Sequence, residues 1–263
     1  VYCDGPRNPS EKAIVQETRN IVYSIRGFRK LNIVEREENL GLAANIIDGI
    51  SQSIEKFGRV IVLEDDLVTS PFFLHYMNDG LHFYEKDDRV ISIHGYTYPV
   101  SSRLPETFFL LGADCWGWAT WKRGWDLFEK DGSTLLAELQ RQERIREFDF
   151  DGSMEYTQML KAQIAGKNNS WAIRWYASAF LRNKLTLYPG RTLVKNIGID
   201  GSGTHCGATS CFGEEVTQSP VAVAKIPVAE SREARNAFID FFIETRGSLF
   251  TRVFSKIRSA LCS

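Results

Sequence analysis

The sequence predicts an α/β fold: a mostly parallel, doubly wound sheet flanked by helices, with a helical tail at the C-terminus. Three observations carry that prediction. Short apolar runs alternate with helix-period segments from Val1 to Tyr96 in the order β-α-β-α-β-α-β. The run Val60-Ile61-Val62-Leu63 is apolar without alternation, the pattern of a strand buried on both faces. It leads straight into Glu64, Asp65 and Asp66, and then into Ser70-Pro71, a good N-cap and first helical residue. Ligands bind at the carboxyl ends of strands in open α/β sheets, so the acids stand where a site belongs.

The elements follow in order. Val1–Cys3 reads as the tail of a strand entering the turn Asp4-Gly5-Pro6, where Asp4 lies at a strand end or simply forms the turn. Ser10–Ile25 keeps Ile14, Val15, Ile21, Val22 and Ile25 on one helix face. Leu31–Val34 is a short strand. Asn39–Gly58 is a helix, with Leu42, Ile46, Ile47, Ile50 and Ile54 at helical spacing and Gly58 as its stop. After the acids a helix runs from Pro71 to about Glu85, and Val90–Tyr96 is the next strand. Phe108–Leu111 is strand-like. Trp118, Trp121 and Trp125 follow helical spacing and predict an aromatic helix face, with Trp116 just before it, free to stack on a sugar ring. Ser133–Glu147 reads as a polar surface helix, Tyr156–Ile164 as a second and the segment around Trp171–Phe180 as a third. Leu185–Tyr188 and Thr192–Val194 are strands. Ile197–Cys206, with Gly198, Gly201, Ser202 and Gly203, reads as a flexible loop whose backbone N–H groups can approach a phosphate, and His205 ends it. From Ala229 the chain is helical again. Arg246, Arg252, Lys256 and Arg258 interleave with apolar residues, the pattern of a helix lying on an anionic membrane surface or packed on the domain with its cations in water.

The acid triplet is physically informative. Two unit charges ~5 Å apart repel by about 1 kcal/mol in water and about 3 kcal/mol at an effective dielectric of 20. Three acids therefore call for a cation or hydrogen-bond donors. Strand alternation would place Glu64 and Asp66 on one side and Asp65 on the other. A hard divalent ion with a diphosphate suits such a set, since Mg²⁺ sites use one or two carboxylates plus phosphate oxygens.

Totals narrow the class. The 263 residues are 43% hydrophobic and 25% charged with net charge −1, ordinary globular values that give no basic field for nucleic acid. No apolar run of about 18 residues exists for a membrane span. The N-terminal VYCDGPRNP lacks the basic and apolar regions of a signal peptide. Five cysteines, Cys3, Cys115, Cys206, Cys211 and Cys262, are scattered without paired spacing, as free thiols in a reducing, cytoplasmic setting would be.

Six blocks in order resemble the GT-A-fold glycosyltransferases that use nucleotide-sugar donors: Tyr2–Pro6, Asn39–Ile46, Val62–Leu74, Gly112–Trp125, Ser170–Phe180 and Asn196–Cys206. The chain is similar to bacterial sugar transferases of polysaccharide assembly and, more distantly, to Golgi N-acetylglucosaminyltransferase I. The resemblance covers Val1 to Cys206. It implies a Rossmann-like GT-A domain over 1–226, with a nucleotide-binding half (1–96) and a donor-sugar and acceptor half (97–226), followed by a helical extension (227–263). It implies Asp66 as a direct Mn²⁺ or Mg²⁺ ligand, Asp65 and Glu64 at the ribose and donor sugar, and Asp4 near the uracil ring. Gly201, Ser202, Gly203 and His205 would close over the diphosphate, where His205 stands to ligate the metal or touch the diphosphate, and Gly117-Trp118 would line the donor-sugar pocket beside Trp116. Such enzymes begin with a strand that this chain lacks, which implies residues upstream of Val1. The Golgi enzyme's catalytic Asp follows a Trp, but here Ala172 follows Trp171, so the base must come from elsewhere.

The expected activity is metal-dependent transfer, with inversion, of a hexosyl or N-acetylhexosaminyl group to a glycan or lipid-linked acceptor. Inversion needs a carboxylate to take the acceptor's proton. Asp114, in an Asp-Cys-Trp-Gly turn, is the candidate, with Asp151 and Glu155 as substitutes. Two rival readings fit the same motifs: a non-catalytic binding module of this fold, and a nucleotidyltransferase.

Overall fold

The computed structural model describes residues 1–198 and 215–260, with 247–260 described through their helical backbone alone. Tyr2–Cys3 (β1) pairs in parallel with Val34–Glu35 (β2), and Lys12–Ser24 (α1) connects them. This α1 is shallow: Val15 and Val22 are half-buried, whereas Ile14 and Ile21 face outward. Leu42–Phe57 (α2) ends at Gly58, whose φ of 74° is a left-handed cap that glycine takes without strain. Arg59–Val62 (β3) leads into the acids, then Leu67–Thr69 (β4) and Phe73–Phe83 (α3). The N-cap is Phe72 and not the expected Ser70. Ser70 Oγ accepts the Phe72 N–H at 3.2 Å and its carbonyl the Phe73 N–H at 3.0 Å, so the helix proper opens two residues after Pro71.

Val90–His94 (β5), Thr107–Leu111 (β6) and Trp118–Trp121 (β7) come next. Five helices follow: Lys122–Trp125 (α4), Gly132–Arg141 (α5), Ile145–Phe148 (α6), Tyr156–Ile164 (α7) and Trp171–Leu181 (α8). The described chain closes with Leu185–Pro189 (β8), Val194–Asn196 (β9) and Arg232–Ala260 (α9). The single polar helix expected over Ser133–Glu147 is two. Glu143 takes a left-handed φ of 56° and the Arg144 N–H returns to the Leu139 carbonyl at 3.1 Å, which ends α5. Leu135 and Leu139 on α5 are also fully buried, so that helix is not a surface element.

The main sheet has five strands in the order β3-β7-β5-β8-β6, and it is mixed. This corrects the expectation of a mostly parallel sheet. The strands β3, β5 and β8 run the same way, but β7 is inserted between β3 and β5 antiparallel to both, and β6 lies antiparallel to β8. Strands that follow a helix run parallel to one another. The two that follow irregular connections, β6 and β7, run the other way, each antiparallel to the strands it pairs with. A small antiparallel pair, β4 with β9, flanks the sheet.

The same insertion overturns the aromatic helix. Trp118 and Trp121 lie on β7, where a spacing of three puts side chains on opposite faces. Trp118 packs with Trp125, Trp171 and Trp175 on the α2–α8 side. Trp121 packs with α3 on the other side, its Nε1 donating to the Leu81 carbonyl at 3.3 Å. A third cluster joins Phe108 and Tyr188 to helices α5 to α9, including Phe238 and Phe242 of α9. Each fully buried aromatic contributes on the order of 2–3 kcal/mol, so these rings define the layers. Among the described residues no helix is long and apolar enough to cross a membrane.

Candidate functional site at the carboxyl edge of the sheet

Because β3 and β5 run in the same direction, their carboxyl ends share one edge of the sheet, and β7 begins there. Three pieces of chain therefore meet: the acids after β3, His94 and Gly95 at the end of β5, and the Gly112–Gly117 connection that enters β7. They are locked by a crossing of two glycines, in which the Gly95 N–H donates to the Gly117 carbonyl at 2.7 Å. A Cβ on Gly117, which has φ +65°, would stand 2.7 Å from Val194 and 3.4 Å from Leu63. The crossing leaves no room for a side chain there.

The acids form a turn, not a strand end, with the Leu67 N–H donating to the Glu64 carbonyl at 3.2 Å. Strand alternation thus does not apply, yet Asp65 still points outward while Glu64 and Asp66 are half-buried. Burial first, then repulsion from Asp66 and Asp65, pushes the Glu64 carboxyl up to about 7. Burial and Asp65 also raise Asp66, against hydrogen bonds from its own backbone and the Asn196 side chain. No cation among the described residues enters either balance. The pairing of β4 with β9 brings the next segment onto Asp66: the Ile197 N–H donates to the Asp66 carbonyl at 2.8 Å. A Cβ on Gly198 would lie 2.7 Å from Asp66 Oδ2. Gly198 therefore admits the carboxylate, and its N–H is held by Asn196 Oδ1 at 2.8 Å.

Asp114 lies on the neighbouring connection. Its Oδ1 accepts the Cys115 N–H at 2.8 Å, and its Oδ2 lies 3.6 Å from His94 Nε2. The His94 side chain is wholly buried, whereas Asp114 is 27% exposed. Desolvation lowers the His94 pKa despite the pull of Asp114, so the imidazole is neutral. Neither of its nitrogens has a hydrogen-bond partner. Tyr98, Tyr156 and Tyr188 lie close enough for the Asp114 charge to add to their raised pKa values, which burial dominates, so Asp114 faces neutral phenols. Trp116 is half-buried with its ring 4.7 Å from that of Tyr96, at the mouth of the same connection.

The other expected site residues divide differently. Trp118 has no exposed surface, so its indole is core and not a pocket wall. Asp4 is fully engaged within the protein. Its Oδ1 accepts the Gly5 and Leu40 N–H groups, both at 2.8 Å, and its Oδ2 the Gly41 N–H at 3.0 Å and Asn39 Nδ2 at 3.2 Å. It clasps the entry to α2 and forms the Asp-Gly turn. Asp151 is bound by Arg235 Nη1 at 2.5 Å, which lowers its pKa, and Glu155 by Arg246. Both tie α9 to the segment before α7, and neither is the unengaged carboxylate that a base requires. Gly201, Ser202, Gly203 and His205 lie outside the described residues, as do Cys206, Cys211 and Cys262. Among the described residues Cys3 is a free thiol, and no three His, Cys, Asp or Glu side chains form a metal-binding group.

The sequence reading missed His94. The signal was there: a histidine closing the apolar run Val90–Ile93, with glycine after it. No known family model matches the chain, and no curated protein matches it.

Proposed function

We propose that this protein is a metal-dependent glycosyltransferase of the GT-A type, moving a hexosyl or N-acetylhexosaminyl group from a nucleotide diphosphate sugar to a glycan or lipid-linked acceptor. The observation that carries the reading is the acid turn. Glu64 and Asp66 are half-buried, repel each other and lack a cation among the described residues, at a sheet edge where α/β proteins bind ligands. Folding leaves that charge uncompensated, and a cation chelated by a diphosphate is what would compensate it. Asp66 fits as the protein's main ligand, since Mg²⁺-type sites need only one or two carboxylates beside phosphate oxygens. When bound, the ion offsets the charge that develops on the departing diphosphate.

The chain's own groups supply the rest. Glu64 and Asp65 accept hydrogen bonds from the donor's sugar hydroxyls, and Trp116 offers a ring for stacking. Asp114 takes the proton of the acceptor hydroxyl as its oxygen attacks the anomeric carbon and the bond to the diphosphate breaks, inverting that carbon. Asp114 is the candidate because it is partly exposed and bears no arginine, unlike Asp151 and Glu155. The test is a panel of UDP and GDP sugars with Mn²⁺ or Mg²⁺, scored by nucleoside diphosphate release and by thermal shift. Metal-dependent stabilisation by one donor with slow hydrolysis is expected. Absence of binding by every donor would leave the binding-module reading standing.

A further inference from the structure

His94 is anomalous on physical grounds. A buried polar group without a partner costs about 1–3 kcal/mol, and here both ring nitrogens are buried and unpaired. An aliphatic or phenyl side chain would fill the end of β5 at lower cost. What the imidazole adds is a donor aimed at a carboxylate: Nε2 stands 3.6 Å from Asp114 Oδ2, while the other oxygen is fixed by the Cys115 N–H. The surroundings keep the ring neutral and fixed. Desolvation lowers its pKa, and the Tyr188 ring packs edge-on at 5.0 Å with Tyr96 beyond it at 6.4 Å. Among the described residues the other titratable groups around the pair are Tyr96, Tyr98, Tyr156, Tyr188 and Cys115, and burial raises Tyr98, Tyr156 and Tyr188.

We propose that His94 is a positioning residue for Asp114, presenting its Nε2–H to Oδ2 so that the carboxylate is held by two donors and keeps one face toward the acceptor. The inference rests on the reading of Asp114 as the base. The proton balance is simple: the acceptor hydroxyl's proton moves to Asp114, its oxygen bonds to the anomeric carbon, the diphosphate leaves with the electron pair, and Asp114 then releases the proton to water. The charge of His94 does not change. A small closure brings Nε2 from 3.6 Å into hydrogen-bond range, as catalytic hydrogen bonds commonly tighten from their ligand-free geometry.

Two variants and one spectrum test this. Removing two unpaired buried nitrogens costs the fold nothing, so His94→Phe is expected to keep or raise Tm. Its kcat is expected to fall about tenfold to a hundredfold, the worth of a hydrogen bond to a charged group, with donor KM within about twofold. His94→Gln keeps an amide donor and should fall between. In the ¹⁵N spectrum of histidine-labelled protein, His94 should carry its proton on Nε2, and Asp114→Ala should change that signal. An unchanged kcat in His94→Phe, or a proton on Nδ1 in the parent protein, would overturn the proposal. If His94→Phe does not fold, His94→Gln and the spectrum decide. If no donor is turned over at all, the glycosyltransferase reading fails while the spectrum still decides the contact.

Discussion

Two groups of acids in this molecule have opposite surroundings. Asp151 and Glu155 face Arg235 and Arg246 across the seam between α9 and the segment before α7. Glu64, Asp65 and Asp66 crowd one turn with no cation among the described residues beside them, and burial drives Glu64 up to about 7. The first arrangement is what folding alone favours, charge met by charge. The second costs stability, and a cost retained at a sheet edge is the mark of a site completed by something from outside. Asp114 resembles the second group, with neutral neighbours and an incomplete set of donors.

The largest effect that would sharpen this contrast is on chemistry. Asp114→Asn should lower transfer by about 10²–10⁴, the range for a general base, while donor binding measured by calorimetry stays within about twofold. Equal loss of binding and turnover would move Asp114 out of the base role. Gly198→Ala comes next. Its Cβ would meet Asp66 Oδ2 at 2.7 Å, so metal-dependent donor affinity should weaken about tenfold or more without a change in kcat for bound substrate. An unaltered affinity would show that Asp66 does not have to sit against that segment.

Glu64→Gln tests the energetic side. A carboxyl with a folded pKa of about 7 against 4.5 holds its proton more tightly when folded. Its burden on stability is absent below about pH 4.5, grows as pH rises through that window and is complete above 7. Glu64→Gln should therefore be more stable than the parent by about 2–3 kcal/mol at pH 8, and the gap should close near pH 4.5, as read by urea titration at several pH values. A gap independent of pH would contradict the raised pKa. The smallest effect belongs to the paired acids. Asp151→Asn should cost less than about 1 kcal/mol, since its side chain is 45% exposed and the pair is screened by water. It should leave turnover unchanged, and a large loss of turnover would return Asp151 to the list of bases.

Much of this was legible in the sequence because it is local. Gly58 stops α2, Ser70 starts the turn into α3, and Tyr156–Ile164 is a helix with the predicted ends. The acid triplet announced itself by charge density alone. What failed depended on distant partners. Trp118 and Trp121 fit a helix by spacing, and only pairing with β3 on one side and β5 on the other makes them a strand. The direction of β7 follows from the same pairing. The role of Asp4 at the entry to α2 was hidden because its donors Asn39, Leu40 and Gly41 come more than thirty residues later. His94 and Asp114 meet only because Gly95 and Gly117 cross, a contact that no periodicity signals.

The most direct test of the central claim, that the acid turn is completed by a metal-bound sugar diphosphate, is calorimetric titration of a nucleotide sugar into the parent protein and Asp66→Asn, each with and without Mn²⁺. Binding is expected to require Mn²⁺ in the parent and to be lost in Asp66→Asn, a variant as stable as the parent or more so because one repelling charge is gone. Equal affinity in both proteins, or affinity indifferent to Mn²⁺, would contradict it.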